Sequence, residues 1–167
     1  QEMYYNVSLL IQMLKHLPDN VRLLLVGMSG GGAETLAEFA KKMNVYDRVE
    51  IIQRVNYSVV PSYLKSADIL LNPKIKGYEG SLSSKLIEYL AAGKPIVAST
   101  TDADLEVLNK NNAIIVRPEA EEFANAISKL VRDPALMDSL AVHARKDAEQ
   151  FSLDIRKKYF EGIMSKI

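Results

Sequence analysis

The residues whose types and spacing could do chemistry lie within residues 78–100, YEGSLSSKLIEYLAAGKPIVAST. Gly80, Ser81, Ser83 and Ser84 are small or hydroxylated, so a helix can begin near Leu82 or Ser83 with its first amide hydrogens pointing outward. Such an end attracts phosphate, because unpaired amides and the helix dipole both favour negative charge there. Leu82, Leu86 and Leu90, with Ile87 and Ala91 beside them, repeat at helical spacing and make an apolar stripe that must lie against a sheet. Glu88 falls off that stripe in the second turn. Helical side chains lean toward the N-terminus, so its carboxylate can reach back toward whatever the first-turn amides hold. Gly93 ends the helix, and residues 95–99, PIVAS, have the composition of a buried parallel strand. A helix start that suits phosphate, with a carboxylate a turn and a half deeper to accept hydroxyl hydrogen bonds, is a site for a nucleoside diphosphate. The plainer role for Glu88 is an ion pair with Lys85 one turn earlier, worth only ~0.2–0.5 kcal/mol.

The elements that must position these residues alternate between strand and helix. Val7, Leu10, Ile11, Leu14 and Leu17 share a helical face that Pro18, Asp19 and Asn20 end. Residues 22–27, RLLLVG, form a continuous apolar strand of the kind covered on both faces. Ser29, Gly30, Gly31 and Gly32 then turn the chain into a helix carrying Leu36, Phe39, Ala40 and Met43. This turn departs from the dinucleotide fingerprint, because Thr35 stands where the third glycine should be and no acidic residue ends the next strand. It reads as a tight turn bordering the site. Residues 49–53 (VEIIQ), 68–72 (DILLN) and 113–117 (AIIVR) supply further strands, and helices are expected over residues 61–66, 121–131, 135–151 and from 153 onward, with Asp102 and Asp104 beginning a short one. Lys74 and Lys76 follow the third strand; they fit a solvated loop or a diphosphate partner, and the solvated loop is preferred because no pairing is visible. Met137 and Phe151 read as packing residues and His143 as a surface one. The whole is an α/β, Rossmann-like doubly wound parallel sheet with helices on both faces. Its ligands should gather at the strand C-terminal edge.

At 167 residues the chain, residues 1–167, suits one domain with a substantial core. Lysine plus arginine and aspartate plus glutamate both number 21, so no net field argues for nucleic acid or an anionic membrane. The absence of cysteine excludes disulfides and thiolate metal sites, and two isolated histidines cannot form a metal site by themselves. The expectation is a cytoplasmic chain without a membrane span or signal peptide.

The segment KLIEYLAAGKPIVAS resembles the donor-site segment of the retaining glycosyltransferases of family 4 (group 1), whose GT-B fold sets two Rossmann-like domains face to face. The similarity runs in register from about Val7 to the C-terminus, through LLLVG at Leu23, SADILLNP at Ser66 and DPAL at Asp133. The resemblance implies a C-terminal, donor-binding domain of an enzyme that transfers a sugar from a nucleotide-activated donor to an acceptor hydroxyl, with retention and without a required metal, as in polysaccharide biosynthesis. Amides and basic groups would stabilise the leaving diphosphate. By the same resemblance Glu88 would hydrogen-bond the donor ribose, Lys85 would sit near the diphosphate or brace Glu88, and the backbone near Val55 would meet the nucleobase, with Arg54 beside it in the donor site. Gly30 and the backbone of Gly80, Ser81, Leu82 and Ser83 would complete the donor site.

One family position does not fall into place. The family's first, catalytic glutamate is separated from the second by one residue fewer than the eight between Glu79 and Glu88. Either the loop carries a one-residue insertion and Glu79 takes the role, or Gly80 holds the register position and this chain dispenses with the carboxylate. The family's domain also opens with a central strand and a basic residue ahead of the helix near Val7, and an N-terminal domain carries the acceptor site and any peripheral membrane contact. Neither is present here. The expectation is therefore a half-enzyme inactive alone, with five strands and a vacancy between the first and third. Two rivals are a flavodoxin-like or receiver-like binding module, for which the clustered aspartates of a receiver are missing, and a degenerate transferase domain used as a scaffold.

Overall fold

The computed structural model describes residues 6–28, 30–74 and 82–164. All five expected strands form: β1 (Leu23–Met28), β2 (Val49–Gln53), β3 (Leu70–Pro73), β4 (Ile96–Ser99) and β5 (Ala113–Ile115). Every pairing among them is parallel. The helices are α1 (Val7–Met13), α2 (Gly31–Lys42), α3 (Val60–Ser66), α4 (Ser84–Ala92), α5 (Ala120–Arg132), α6 (Pro134–Ala148) and α7 (Leu153–Met164). Short 3₁₀ turns at Leu14–His16, Tyr57–Val59 and Asp102–Glu106 extend or join them. The alternation expected from hydrophobic periodicity is thus the alternation observed.

The sheet is in two pieces. β1 pairs with β2, and β3, β4 and β5 form a separate three-stranded sheet; among the described residues no strand joins β1 to β3. What spans the break is α1. Leu9, Leu10, Ile11, Met13 and Leu14 are buried in one cluster with Leu23 and Leu25 of β1, Val97 of β4 and Phe123, Ile127 and Leu130 of α5. The N-cap of α1 ties it to the second piece, where the Asn6 amide donates to the Pro73 carbonyl at 2.8 Å. Asn6 Oδ1 meanwhile accepts from the Leu9 amide, as an N-cap side chain should.

The expectation that residues 22–27 are covered on both faces is corrected. Leu23 and Leu25 are buried while Leu24 between them, which points to the opposite face, is 38% exposed. β4, flanked by strands on both sides, is buried at all four residues. Its side chains divide between two cores, Val97 facing the α1 and α5 layer and Ile96 and Ala98 facing α4. That is the layer arrangement of a parallel sheet wound on both faces.

α4 lies in the second core through Leu86 and Leu90, both fully buried, while Ala91, placed on the same stripe from sequence, is exposed. The helix ends where Gly93 takes a left-handed φ of +64° and Arg145 of α6 donates to the Ala91 carbonyl at 2.6 Å. An added Cβ at Gly93 would meet the Arg145 Cβ at 3.3 Å. Gly93→Ala should therefore cost about 1–2 kcal/mol through the left-handed backbone alone, read as a lower urea midpoint with an unchanged slope.

Candidate functional site

The C-terminal edge of the strands carries the α2 turn, the loop after β2, the end of β3 and the start of α4. At Gly30, the residue before α2, φ is +62° and an added Cβ would touch nothing within 4 Å. Glycine is needed there for backbone freedom and not for room. Arg54 and Val55 follow β2 in a loop, Arg54 exposed and Val55 half-buried, and the Asn56 side chain caps the next turn by accepting from the Ser58 amide and hydroxyl. Leu82 is half-buried and Ser83 is the N-cap of α4, 6% exposed. Lys85 and Glu88 lie in the first and second turns of α4, both half-buried. Glu79, Gly80 and Ser81 fall outside the described residues, and so do Gly77, Lys76 and Tyr78.

The start of α4 is held by a buried ion pair. Lys74 is only 3% exposed and Asp104 fully buried, and Lys74 Nζ lies 3.0 Å from Asp104 Oδ1 and 2.9 Å from Oδ2. Asp104 Oδ1 also accepts from the Ser83 amide at 3.2 Å, and Oδ2 accepts from the Thr101 amide and hydroxyl, each at 3.2 Å. The Ser99 hydroxyl donates to the Lys74 carbonyl at 2.8 Å. A carboxylate removed from water is tolerable only when its oxygens are this fully satisfied. Two readings made from sequence change accordingly. Lys74 belongs to no solvated loop; it is a structural cation between β3 and the turn after β4. Ser83 gives its amide to Asp104, so the amides of α4 left for a ligand begin at Ser84. Sequence reasoning took Asp104 only as a helix start, although Thr101 and Asp104 have the three-residue spacing of a capping box.

Glu88 has a partner that its ion-pair reading did not include. The Tyr57 hydroxyl donates to Glu88 Oε1 at 2.6 Å, joining the loop after β2 to α4 across 31 residues of sequence. The hydrogen bond to Glu88, and then its negative charge, raise the Tyr57 pKa above the usual 10.0. A raised phenol means the contact is complete at neutral pH and is lost only as pH climbs through that elevated range. Tyr89 donates to the Leu71 carbonyl at 3.3 Å. His143 is exposed, and Met137 and Phe151 pack against the two cores.

A cavity of about 410 Å³ is at the other end of the sheet, lined by Lys15, His16, Asn20, Val21, Ser128 and Arg132. It sits where α1 and α5 end, so helix carbonyls point toward it and oppose phosphate. Its basic side chains are those expected to complement such ends.

The family described as Glycosyl transferases group 1 matches residues 2–147. The chain belongs to that family. It is 26% identical over 152 residues to the D-inositol 3-phosphate glycosyltransferase of Xylanimonas cellulosilytica, covering 88% of this chain and 36% of that one. Among solved structures, Anabaena HepE in complex with UDP superposes with a TM-score of 0.85 at 22% identity, over 98% of this chain and 46% of HepE. The C-terminal domain of a group 1 glycosyl transferase family protein, LpcC, from Francisella tularensis gives a TM-score of 0.68 at 16% identity, over 86% of this chain and 75% of that one. The fold is therefore that of the GT-B glycosyltransferases. The chain spans about a third of the length of the curated relatives it matches.

The buried pair yields a test of its own. Asp104→Ala leaves the Lys74 ammonium buried without its counter-charge and should destabilise the chain by about 3–5 kcal/mol, whereas Lys74→Met with Asp104→Leu should recover much of that loss. Urea unfolding of both variants, beside the parent, measures the difference.

Proposed function

We propose that this chain is the donor-binding part of a retaining glycosyltransferase, holding a nucleotide-activated sugar for transfer to an acceptor hydroxyl. The observation that carries the reading is the arrangement of α4. Its N-terminus is fixed at the strand C-terminal edge by Asp104, and Glu88, further along the helix, faces the loop after β2 through Tyr57. In this reading the amides from Ser84 onward, with Lys85, meet the diphosphate, and Glu88 accepts from the ribose hydroxyls. Arg54 and Val55 border the base and Gly30 lines the neighbouring turn. Stabilisation of the leaving diphosphate is assigned to helix amides and basic groups, with no resident metal. HepE, in complexes with UDP and with UDP-glucose, makes UDP the first nucleotide to test.

We further propose that an N-terminal domain of the same enzyme supplies the acceptor site and any contact with a membrane surface, and that a strand from outside residues 6–164 fills the break between β1 and β3. Edge groups left facing each other across that break favour such a partner, since unpaired backbone amides and carbonyls are costly to bury. Among the described residues no helix is long and apolar enough to cross a membrane. The compartment we assign is the cytoplasm, and the process polysaccharide biosynthesis.

Calorimetry with UDP, GDP and ADP tests the donor role. One of them should bind, and Glu88→Ala should weaken it by about 1.5–3 kcal/mol for each charge-assisted hydrogen bond lost, with an unchanged circular dichroism spectrum. Equal binding by parent and variant would remove the ribose role. The 167-residue chain by itself should transfer no sugar from the nucleotide sugar it binds, while the full-length enzyme should; turnover by the chain alone would refute the divided site.

A further inference from the structure

We propose that Tyr57 is a competitor for the ribose: in the free protein its hydroxyl occupies Glu88, and the ribose hydroxyls of a nucleotide must displace it to reach that carboxylate. The inference rests on the ribose role given to Glu88 above. Tyr57 opens the 3₁₀ turn directly after the loop that carries Arg54 and Val55, so it stands between the segment assigned to the base and the carboxylate assigned to the ribose. Its hydroxyl makes a short, charge-assisted bond to Glu88 Oε1, yet 70% of the residue is exposed. The hydroxyl is therefore held by chemistry and the ring by little packing, the combination needed for a group that leaves.

A carboxylate that takes two neighbouring hydroxyls uses both oxygens, and here one of the two is already engaged. The tyrosine hydroxyl offers Glu88 the donor that a ribose hydroxyl would offer. A phenol is protonated at neutral pH, and the bond to Glu88 raises its pKa further, so the hydroxyl is a donor throughout the physiological window. A place for the displaced ring lies next to it: a depression of about 160 Å³, walled by Val60, Pro61, Leu64, Glu88 and Ala92, which Tyr57 itself borders. Its walls are mostly apolar, so a ring turned into it is sheltered as its hydroxyl is released.

Substitution by phenylalanine separates the hydroxyl from the ring. Calorimetry on the 167-residue chain is run with whichever of UDP, GDP and ADP binds most tightly, and with the 2′,3′-dideoxy form of the same nucleotide. The expected result is that Tyr57→Phe binds the ribose form roughly two- to tenfold more tightly than the parent, the span of one net hydrogen bond. It should leave the dideoxy affinity unchanged and make no difference in a Glu88→Ala background. If the parent prefers the ribose form but Tyr57→Phe binds it equally or more weakly, the competitor role is overturned while the ribose role of Glu88 stands. If the parent binds both forms alike, or binds none of the three nucleotides, the ribose role falls and takes this proposal with it.

Discussion

The structure depends on a buried ion pair that fixes where α4 begins. Lys74 and Asp104 come from different crossings of the chain, one at the end of β3 and the other just past β4, and each is nearly or wholly out of water. Desolvating two charges is unfavourable unless their attraction and further hydrogen bonds compensate. Here the compensation also does structural work, since the same carboxylate that neutralises Lys74 takes the Ser83 amide and the Thr101 amide and hydroxyl. Moving the helix start would break the Ser83 bond and leave that Asp104 oxygen with Lys74 alone. The pair therefore converts an electrostatic requirement into a position.

The other end of α4 is fixed by different means. Gly93 lets the backbone turn left-handed, and Arg145, 54 residues away in sequence, satisfies the Ala91 carbonyl. Cation at the C-terminus and carboxylate at the N-terminus both follow the sense of the helix dipole. With Leu86 and Leu90 buried between them, the helix cannot slide or rotate appreciably, and Glu88 is presented on the side facing Tyr57 and the loop after β2. Precision at the carboxylate thus comes from three contacts, none of which involves the carboxylate.

Placed beside this rigid element, the break between β1 and β3 is the least complete part of the fold. α1 closes it on one face by burying apolar side chains from both pieces, which supplies area-driven cohesion without supplying strand hydrogen bonds. Leu24 points to the opposite face and remains partly exposed. The winding on both faces is shared with the GT-B structures the chain superposes on, and the chain spans about a third of the length of the curated relatives it matches.

What the sequence determined by itself was the order of elements and the chemistry of one helix. Strands such as VEIIQ and PIVAS are short apolar runs bounded by turn residues, and α4 has a stripe, a small-residue start and a glycine stop; these are local patterns, and the covalent chain carries them in full. Glu88 stood out because it left the stripe. Tertiary structure alone decided what the side chains meet. Lys74 looked solvated because its counter-charge lies 30 residues on, and no local spacing reveals a pair made by two crossings of a sheet. The contact between Tyr57 and Glu88 was hidden for the same reason, since 31 residues separate the two. The exposure of Leu24 also lay beyond the sequence, because a leucine in an apolar run is buried only if a neighbouring layer covers it, and layers are a property of the assembled sheet.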